Sequence, residues 1–580
     1  MENNSVNPIN YILTLRSERP IQGCELSPNA YVQYKDSTGR PRMVDPNSVY
    51  YNFVWKRGPK ASGCSNPDCE RGKIFEPAQW SKQALGGPEL LCNVCLTAGY
   101  ASYESTFCSR KCFLASWKEH SKRHVNVRKA SSLSEMTSTP PNENETENDD
   151  IANEEEKPIT SISSVSYDEE GVSNENWVLI SEERTYVPTS DDIGSRLRVD
   201  VWVSSTADNS ILAGPTTLFT EPVLSSPGKP PKRPLQTIPG SGSGISGAVR
   251  FRVVSYNILA ELYATKQAYP YVDMWNLSWP FRRKILFEEL EDVQGDIVCL
   301  QEVQADHFEQ DINPFMASLG YDGIYKTKSR EYMGQYGKVD GCATFWKKNK
   351  FSMIENYCLE FNDMARQEAS NLGLDEGEAR RYMNRLNRDN IAQIIVLESL
   401  SRSSNNRNTG RSSLCVVNTH IYSNNQRIDV KLWQSYNLIR EIQQFVSTRD
   451  LALVICGDFN SEPQSAVYDF ITNGGVSPDA HPEVFMDDTV RILPDPHDII
   501  HDMELASAMN TALGGEPIFT NYTAKFKGTL DYIFYTPSRL RILAVTSPPD
   551  ESDIRNVAGD GLPCPCYPSD HVLLSCDVAM

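Results

Sequence analysis

Leu451-Ala-Leu-Val-Ile-Cys-Gly-Asp-Phe-Asn460 runs six apolar residues directly into Gly-Asp-x-Asn. Such a run reads as a buried strand that stops at Gly457 and presents Asp458 and Asn460 at its end. By itself Gly-Asp-Phe-Asn is commonly just a turn after a strand. The pattern recurs, however, in Ser255-Tyr-Asn257, Leu300-Gln-Glu302-Val303, Asn418-Thr-His420, Thr529-Leu-Asp531-Tyr532 and Pro568-Ser-Asp570-His571. Six polar sites at strand ends in one ordered series point to a single metal-dependent phosphodiester-cleaving centre spread over residues 250–580.

The residue types fit that chemistry. Mg²⁺ takes oxygen ligands and keeps several waters, so one or two carboxylates plus a substrate phosphate suffice to hold it. Glu302, at the end of a buried strand, is the foremost metal-ligand candidate. Asp458 is placed to bind a second metal or to take the proton of the attacking water. Asn257 and Asn460 would hold water, phosphate oxygens or metal without adding charge. His571, oriented by Asp531 or Asp570, would stabilise charge building on the phosphoryl oxygens, and His420 would share that role.

Around these motifs strands alternate with amphipathic segments. Phe281–Leu290 reads as a helix before the strand Asp296–Leu300, and Val430–Ile442 as a helix before the strand 451–456. The polar stretch Ser399–Ser413 reads as a hairpin loop between two strands. The fold class expected is α/β.

These motifs resemble the endonuclease/exonuclease/phosphatase superfamily. Ser255-Tyr-Asn-Ile-Leu-Ala260, Tyr325–Arg330, Val339–Phe345 and Tyr522–Tyr535 are similar, within it, to mRNA deadenylases of the carbon catabolite repressor protein 4 type. The resemblance implies a two-layered β-sandwich flanked by helices, two Mg²⁺ ions, and 3′-to-5′ removal of adenylate from poly(A) RNA with release of AMP. It implies a catalytic subunit of a deadenylase complex, placed in the cytoplasm and its RNA granules (P-bodies), with the nucleus as a further site. By motif position Phe526 matches the aromatic residue that stacks on adenine, and Lys525 and Lys527 beside it favour an exposed edge. One departure stands out: a His-Trp-Asp-Pro-like run is replaced by Tyr422-Ser-Asn-Asn425, a polar wall that weakens or re-registers adenine preference. A related phosphatase acting on a small nucleotide coenzyme is therefore the alternative, and a zinc-finger scaffold with weak nuclease activity the non-enzymatic one.

Composition bounds the rest. A chain of 580 residues exceeds one core, so about three folded units are expected. No stretch of 18 apolar residues occurs and the N-terminus lacks an apolar leader, so a soluble intracellular protein without membrane contact is expected. Net charge is −20. Residues 132–176 hold 13 Asp and Glu against one Lys, and 251–580 hold 45 acidic against 30 basic residues. Nonspecific grip on a polyanion is accordingly weak, and bound metal must offset the carboxylates at the site. That fits an enzyme acting on nucleic acid better than a protein that merely coats it.

Fifteen cysteines, an odd number without an export signal, favour metal over disulfides. Cys64-x4-Cys69, Cys92-x2-Cys95, Cys108-x3-Cys112 and His120-x3-His124 supply eight ligands in four pairs, the requirement of two tetrahedral zinc ions. Phe107-Cys-Ser-Arg-Lys-Cys112 with His120 is similar to the second half of a MYND zinc finger. That resemblance implies a peptide-docking module, here for the partner deadenylase subunit, in preference to direct RNA contact by the basic residues from Arg110 to Lys129. It also suggests plant or algal deadenylases. The expected organisation is a split immunoglobulin-like β domain (1–60 and 172–224), a double zinc finger (61–130), a disordered acidic linker (131–171), a Pro/Gly linker (225–249) and the catalytic domain (250–580). His497 and His501, spaced i, i+4, read as a solvated loop or helix, and Cys564-Pro-Cys566 as loop residues.

Overall fold

The computed structural model describes residues 11–16, 20–35, 40–60, 90–91, 106–107, 177–224, 226, 232–242, 247–329, 338–401, 412–449, 451–485 and 490–580. The chain divides into two compact units, Met1–Ser226 and Pro227–Met580. The zinc-ligand candidates Cys64, Cys69, Cys92, Cys95, Cys108, Cys112, His120 and His124 lie outside the described residues, as does the acidic linker.

In the first unit, strand Val49–Lys60 lies between Val178–Ser181 and Ser195–Ser205, and Ile211–Pro222 closes the sheet. Residues on either side of the cysteine-rich stretch thus share one sheet. Trp55, fully buried, donates its indole N–H to the Glu183 carbonyl at 3.1 Å. Asp192 is also fully buried; it accepts from the Tyr186 hydroxyl at 2.6 Å and from the Thr189 N–H at 2.7 Å. These two bonds order the Thr185–Gly194 turn.

The second unit is built from two sheets. Its strands are β1 (Leu235–Thr237), β2 (Arg250–Asn257), β3 (Ile297–Gln304), β4 (Tyr321–Thr327), β5 (Asp340–Lys347), β6 (Phe351–Glu360), β7 (Ile391–Ser399), β8 (Ser413–His420), β9 (Ala452–Asp458), β10 (Ala506–Ser507), β11 (Asp531–Tyr535), β12 (Arg541–Thr546) and β13 (Leu574–Ala579). One sheet has the order β1-β12-β13-β2-β3-β5-β4, the other β6-β7-β8-β9-β11-β10. Parallel neighbours need a crossover, and α1 (Trp279–Val293) joins β2 to β3 as α2 (Ile428–Ser447) joins β8 to β9.

Strand alternation sorts side chains into layers. Val253, Cys299, Val416, Val454 and Ile533 meet between the sheets. Val254, Val298 and Leu300 face outward against Leu286 and Leu290 of α1. Val417 and Ile455 face outward on the other side, against Leu432, Trp433 and Ile439 of α2. Both faces of each central strand are covered, which is why Ala452–Cys456 is apolar without alternation. The result is the two-layered sandwich flanked by helices. Among the described residues no helix is long and apolar enough to cross a membrane.

Polar bridges cross the apolar interior, one of them Thr344 Oγ1 donating to Gln393 Oε1 at 2.7 Å. Gln301 Nε2 donates to Asn418 Oδ1 at 2.8 Å, and Asn418 Nδ2 donates to the Leu300 and Ala343 carbonyls at 3.2 and 2.9 Å. The Pro/Gly stretch differs from a plain linker: Leu235–Thr237 pairs with Thr546–Ala544 of β12. Those three residues carry neither Pro nor Gly, so nothing bars them from adding an edge strand.

Candidate active site

Register delivers the site. In the second sheet His420 is paired with Asp458, and Asp458 with Asp531, so three adjacent strand ends present their side chains on one face. A β-carbon on Gly457 would lie 2.3 Å from the Thr419 carbonyl oxygen, so only glycine lets β8 and β9 approach this closely. In the first sheet Asn257 ends β2. Glu302 occupies an irregularity between Leu300 and Val303 of β3, with φ +56. The extra residue re-aims the carboxylate out of the ladder.

The two sheets meet through these side chains. Asn257 Nδ2 donates to Glu302 Oε1 at 3.1 Å and to Asp458 Oδ2 at 3.0 Å. Glu302 Oε2 accepts the Ala260 N–H at 3.0 Å. His571 Nδ1 lies 2.7 Å from Asp531 Oδ2, leaving Nε2 3.7 Å from Asp458 Oδ2. His420 Nε2 is 3.6 Å from the same oxygen. Asp570 Oδ2 accepts from the Tyr269 hydroxyl at 2.8 Å and Asn521 Nδ2 at 3.1 Å. Asn460, at φ +48, spends its Nδ2 on the Ile421 carbonyl, so its Oδ1 is the atom left for a ligand.

Burial and charge set the protonation states. Burial, then the Asp570 and Asp340 carboxylates, push Glu302 up to about 7. Burial, then Asp531, raise Asp458. Burial favours a neutral His571, but Asp531, Asp570 and Asp458 outweigh it and hold the ring well above the ordinary imidazole range. His420 goes the other way: burial, then the Lys328 ammonium, push it down to about 3. The two histidines therefore do not share one role, as their sequence context led us to expect. His571 is the charged one and His420 stays neutral.

A divalent cation fits this set. Asp531 Oδ1, Asp570 Oδ1 and His420 Nδ1 are buried without a hydrogen-bond partner, an arrangement that is costly unless something satisfies them. Oxygens of Asp458 and Asp531 and a nitrogen of His571 all lie within 4.8 Å of one another; the two carboxylates are the ligands of this group, since the charged ring has no lone pair to offer. Glu302 stands beside this group, joined to Asp458 through the Asn257 amide.

The centre opens into a cleft of about 700 Å³. Phe526 lines its wall from a hairpin, Asn521–Tyr522 with Lys527–Gly528. A β-carbon on Gly528 would sit 2.7 Å from the Phe526 ring, so glycine makes room for the ring to lie across the strand. Tyr422, Ser423 and Asn425 line the same cleft, with the Arg388 guanidinium 5.3 Å from the Tyr422 ring centroid.

Several cleft residues were not singled out from sequence. Lys328 is buried and paired with Asp340 at 2.6 Å; it falls inside the quoted Tyr325–Arg330 motif, which was the available signal. Lys431 Nζ donates to Asn425 Oδ1 and to the Asn460 carbonyl, both at 2.6 Å. Burial pushes it down to about 8. A lysine inside the apolar run Val430-Lys-Leu-Trp433 could have drawn attention to it. His501 is buried against Phe470 with Nε2 2.8 Å from its carbonyl, a packing role rather than a solvated one.

Residues 254–571 match the model of the Endonuclease/Exonuclease/phosphatase family. Carbon catabolite repressor protein 4 homolog 1 of Arabidopsis thaliana is 32% identical over 97% of this chain and 96% of its own length. Homolog 2 of the same plant is 31% identical with the same coverage. The CCR4-Not complex 3′-5′-exoribonuclease subunit Ccr4 of Schizosaccharomyces pombe is 33% identical over 57% of this chain and 49% of its own. Among solved structures, ANGEL2, a 2′,3′-cyclic phosphatase, aligns at 28% identity and TM-score 0.48, over 60% of this chain and 98% of that one.

Proposed function

The chain belongs to the endonuclease/exonuclease/phosphatase family, among its carbon catabolite repressor protein 4 homologues, and from that premise we propose a Mg²⁺-dependent 3′-to-5′ exoribonuclease that shortens poly(A) and releases AMP. The observation carrying this reading is the Asn257 amide, which ties Glu302 to Asp458 across the two sheets at the foot of a cleft that Phe526 lines.

Glu302 and Asp458, with Asp531 and Asp570 near them, would hold the metal. Bound there, Mg²⁺ neutralises phosphoryl oxygens and favours ionisation of a water. The remaining work falls to the chain. Asn257 fixes the spacing of Glu302 and Asp458. Asp531 holds the His571 ring through Nδ1, so its charged Nε2–H donates to a phosphoryl oxygen as negative charge grows there. Asp458 takes a proton from the water that attacks phosphorus. The bond from phosphorus to the penultimate 3′ oxygen breaks, and that oxygen leaves as a new 3′ hydroxyl after gaining a proton from solvent. Phe526 stacks on the terminal base, and the 422–425 segment bounds it on the other side.

In the same reading the enzyme is the catalytic subunit of a deadenylase complex in the cytoplasm, with RNA granules and the nucleus as further sites. The cysteine- and histidine-rich stretch holds two zinc ions and docks the partner subunit. The test is digestion of 5′-labelled oligo(A), oligo(U) and oligo(C) in Mg²⁺, beside Glu302→Ala. A ladder shortening from the 3′ end, fastest on oligo(A) and absent in the variant, is expected. Intact RNA with well-folded protein would overturn it. A second reading, a phosphatase acting on a small nucleotide coenzyme, draws on the polar wall of Asn425, Lys431 and Arg388. Phosphate release from a dinucleotide coenzyme with no RNA shortening would favour it.

A further inference from the structure

Cys564 and Cys566 lie in the segment that leads into Asp570 and His571, and the proposed reaction makes no use of them. Their sulfurs stand 3.7 Å apart, both side chains buried, at 3% and 8% exposure. Their neighbours are Ile554, Leu562 and Val572, an apolar patch that any small aliphatic residue would fill equally well. What distinguishes the pair is its geometry. The chain folds back so that Cys564 and Tyr567 exchange two backbone hydrogen bonds, 2.9 and 3.1 Å, and the intervening Pro565 restricts the turn. The two thiols are thereby held facing each other. One donates to the other, which leaves Cys564 the more readily ionised.

We propose that Cys564 and Cys566 form a redox modification site: a small disulfide of the glutathione class converts them to an internal disulfide that slows the enzyme. The Cys564 thiolate attacks one sulfur of the oxidant and expels a thiol. The Cys566 thiol, losing its proton, then attacks Cys564 in the mixed disulfide and expels the second thiol. Two electrons and two protons leave the pair, and the oxidant becomes two thiols.

The bond requires the sulfurs to approach by roughly 1.6 Å, to about 2.05 Å. The segment has little freedom to absorb this without moving its anchors. Leu562 N–H donates to the Tyr522 carbonyl at 2.8 Å, reaching the hairpin that carries Phe526. The Pro568 carbonyl accepts from Arg282 Nη1 at 3.1 Å, and Ser569 Oγ donates to the Asn257 carbonyl at 2.7 Å. Closure of the disulfide therefore pulls at once on the Phe526 wall and on the catalytic strand ends.

The test exposes the full-length protein to a series of oxidised-to-reduced glutathione ratios and follows two readouts. Differential alkylation with peptide mass spectrometry, independent of any activity, should show both thiols becoming protected together with loss of two hydrogen masses and no retained glutathione. The rate on 5′-labelled oligo(A) should fall several-fold along the same titration and return on reduction. Cys566→Ser and Cys566→Ala, checked for unchanged melting, should keep their rates. A stable glutathione adduct, two thiols that remain alkylatable throughout, or equal inhibition of the Cys566 variants would overturn the proposal.

Discussion

The floor and the wall of the cleft are made differently. In the floor, Asn257, His420, Asp458 and Asp531 sit on strand ends held in register by their ladders, Glu302 at the irregularity of β3, and His571 just before β13, where Asp531 holds its ring. The wall, Phe526 and Tyr422–Asn425, sits on a short hairpin and an exposed loop, tied down by local hydrogen bonds such as Thr523 N–H to the Phe526 carbonyl and Lys431 to Asn425. A strand end cannot shift without disturbing a sheet, whereas a loop can be rewritten. In the proposed reading the floor decides which bond is broken, and the wall which nucleotide is presented.

The largest effect should come from breaking the floor. Glu302→Ala or Asp458→Ala should lower turnover by at least about 10³-fold, the scale of removing a group that stabilises transition-state charge, with no drop in melting temperature. Near wild-type turnover would sink the assignment. Asp531→Asn should cost about 10²-fold, because the ring stays in place but loses the carboxylate that keeps it charged. An unchanged pH profile for that variant would remove His571 from the reaction. On the wall, Phe526→Ala should raise KM for oligo(A) by about tenfold, one base stack being worth about 1–3 kcal/mol, and narrow the gap to oligo(U). An unchanged A/U ratio would take Phe526 out of the base pocket.

A smaller effect concerns stability. Glu302 holds its proton more tightly in the folded, metal-free protein, so stability should fall as pH rises from 4.5 to about 7 and stay low above that. At pH 8 metal-free Glu302→Gln should be more stable than wild type by about 1–2 kcal/mol once solvent screening is counted, seen as a higher melting temperature, and gain less from Mg²⁺. Smallest of all, zinc chelation should leave the rate of an isolated fragment from residue 232 onward unchanged. That fragment should also melt slightly higher than one cut at 250, which lacks the edge strand Leu235–Thr237.

The same division marks what was legible in the sequence. Asn257, His420, Asp458 and Asp531 announced themselves because a buried strand must be apolar, so a polar residue at its end stands out; Glu302 lies at the irregularity of β3 and Asp570–His571 just before β13. Lys328 and Lys431 did not, since a lysine in isolation reads as solvated and only the fold shows that it is buried. The opposite charge states of His420 and His571 were equally out of reach. They depend on Lys328, 92 positions from His420, and on three carboxylates near His571, of which Asp458 lies 113 positions away in the chain. The Leu235–Thr237 strand was hidden by the Pro and Gly around it.

Apolar side chains between two sheets attract without direction, so an oily interface alone would tolerate sliding of one sheet over the other. The Gln301–Asn418 bond, with its ties to Leu300 and Ala343, acts as a dowel one residue beneath the Glu302 and Thr419–His420 ends. With alignment shared among this peg, the Thr344–Gln393 bond and the Asn257–Asp458 bond, the surrounding Val, Ile, Leu and Cys residues are free to drift among themselves over evolutionary time. Such a scaffold can lose most of its sequence identity to distant kin while its two halves still meet at the same point.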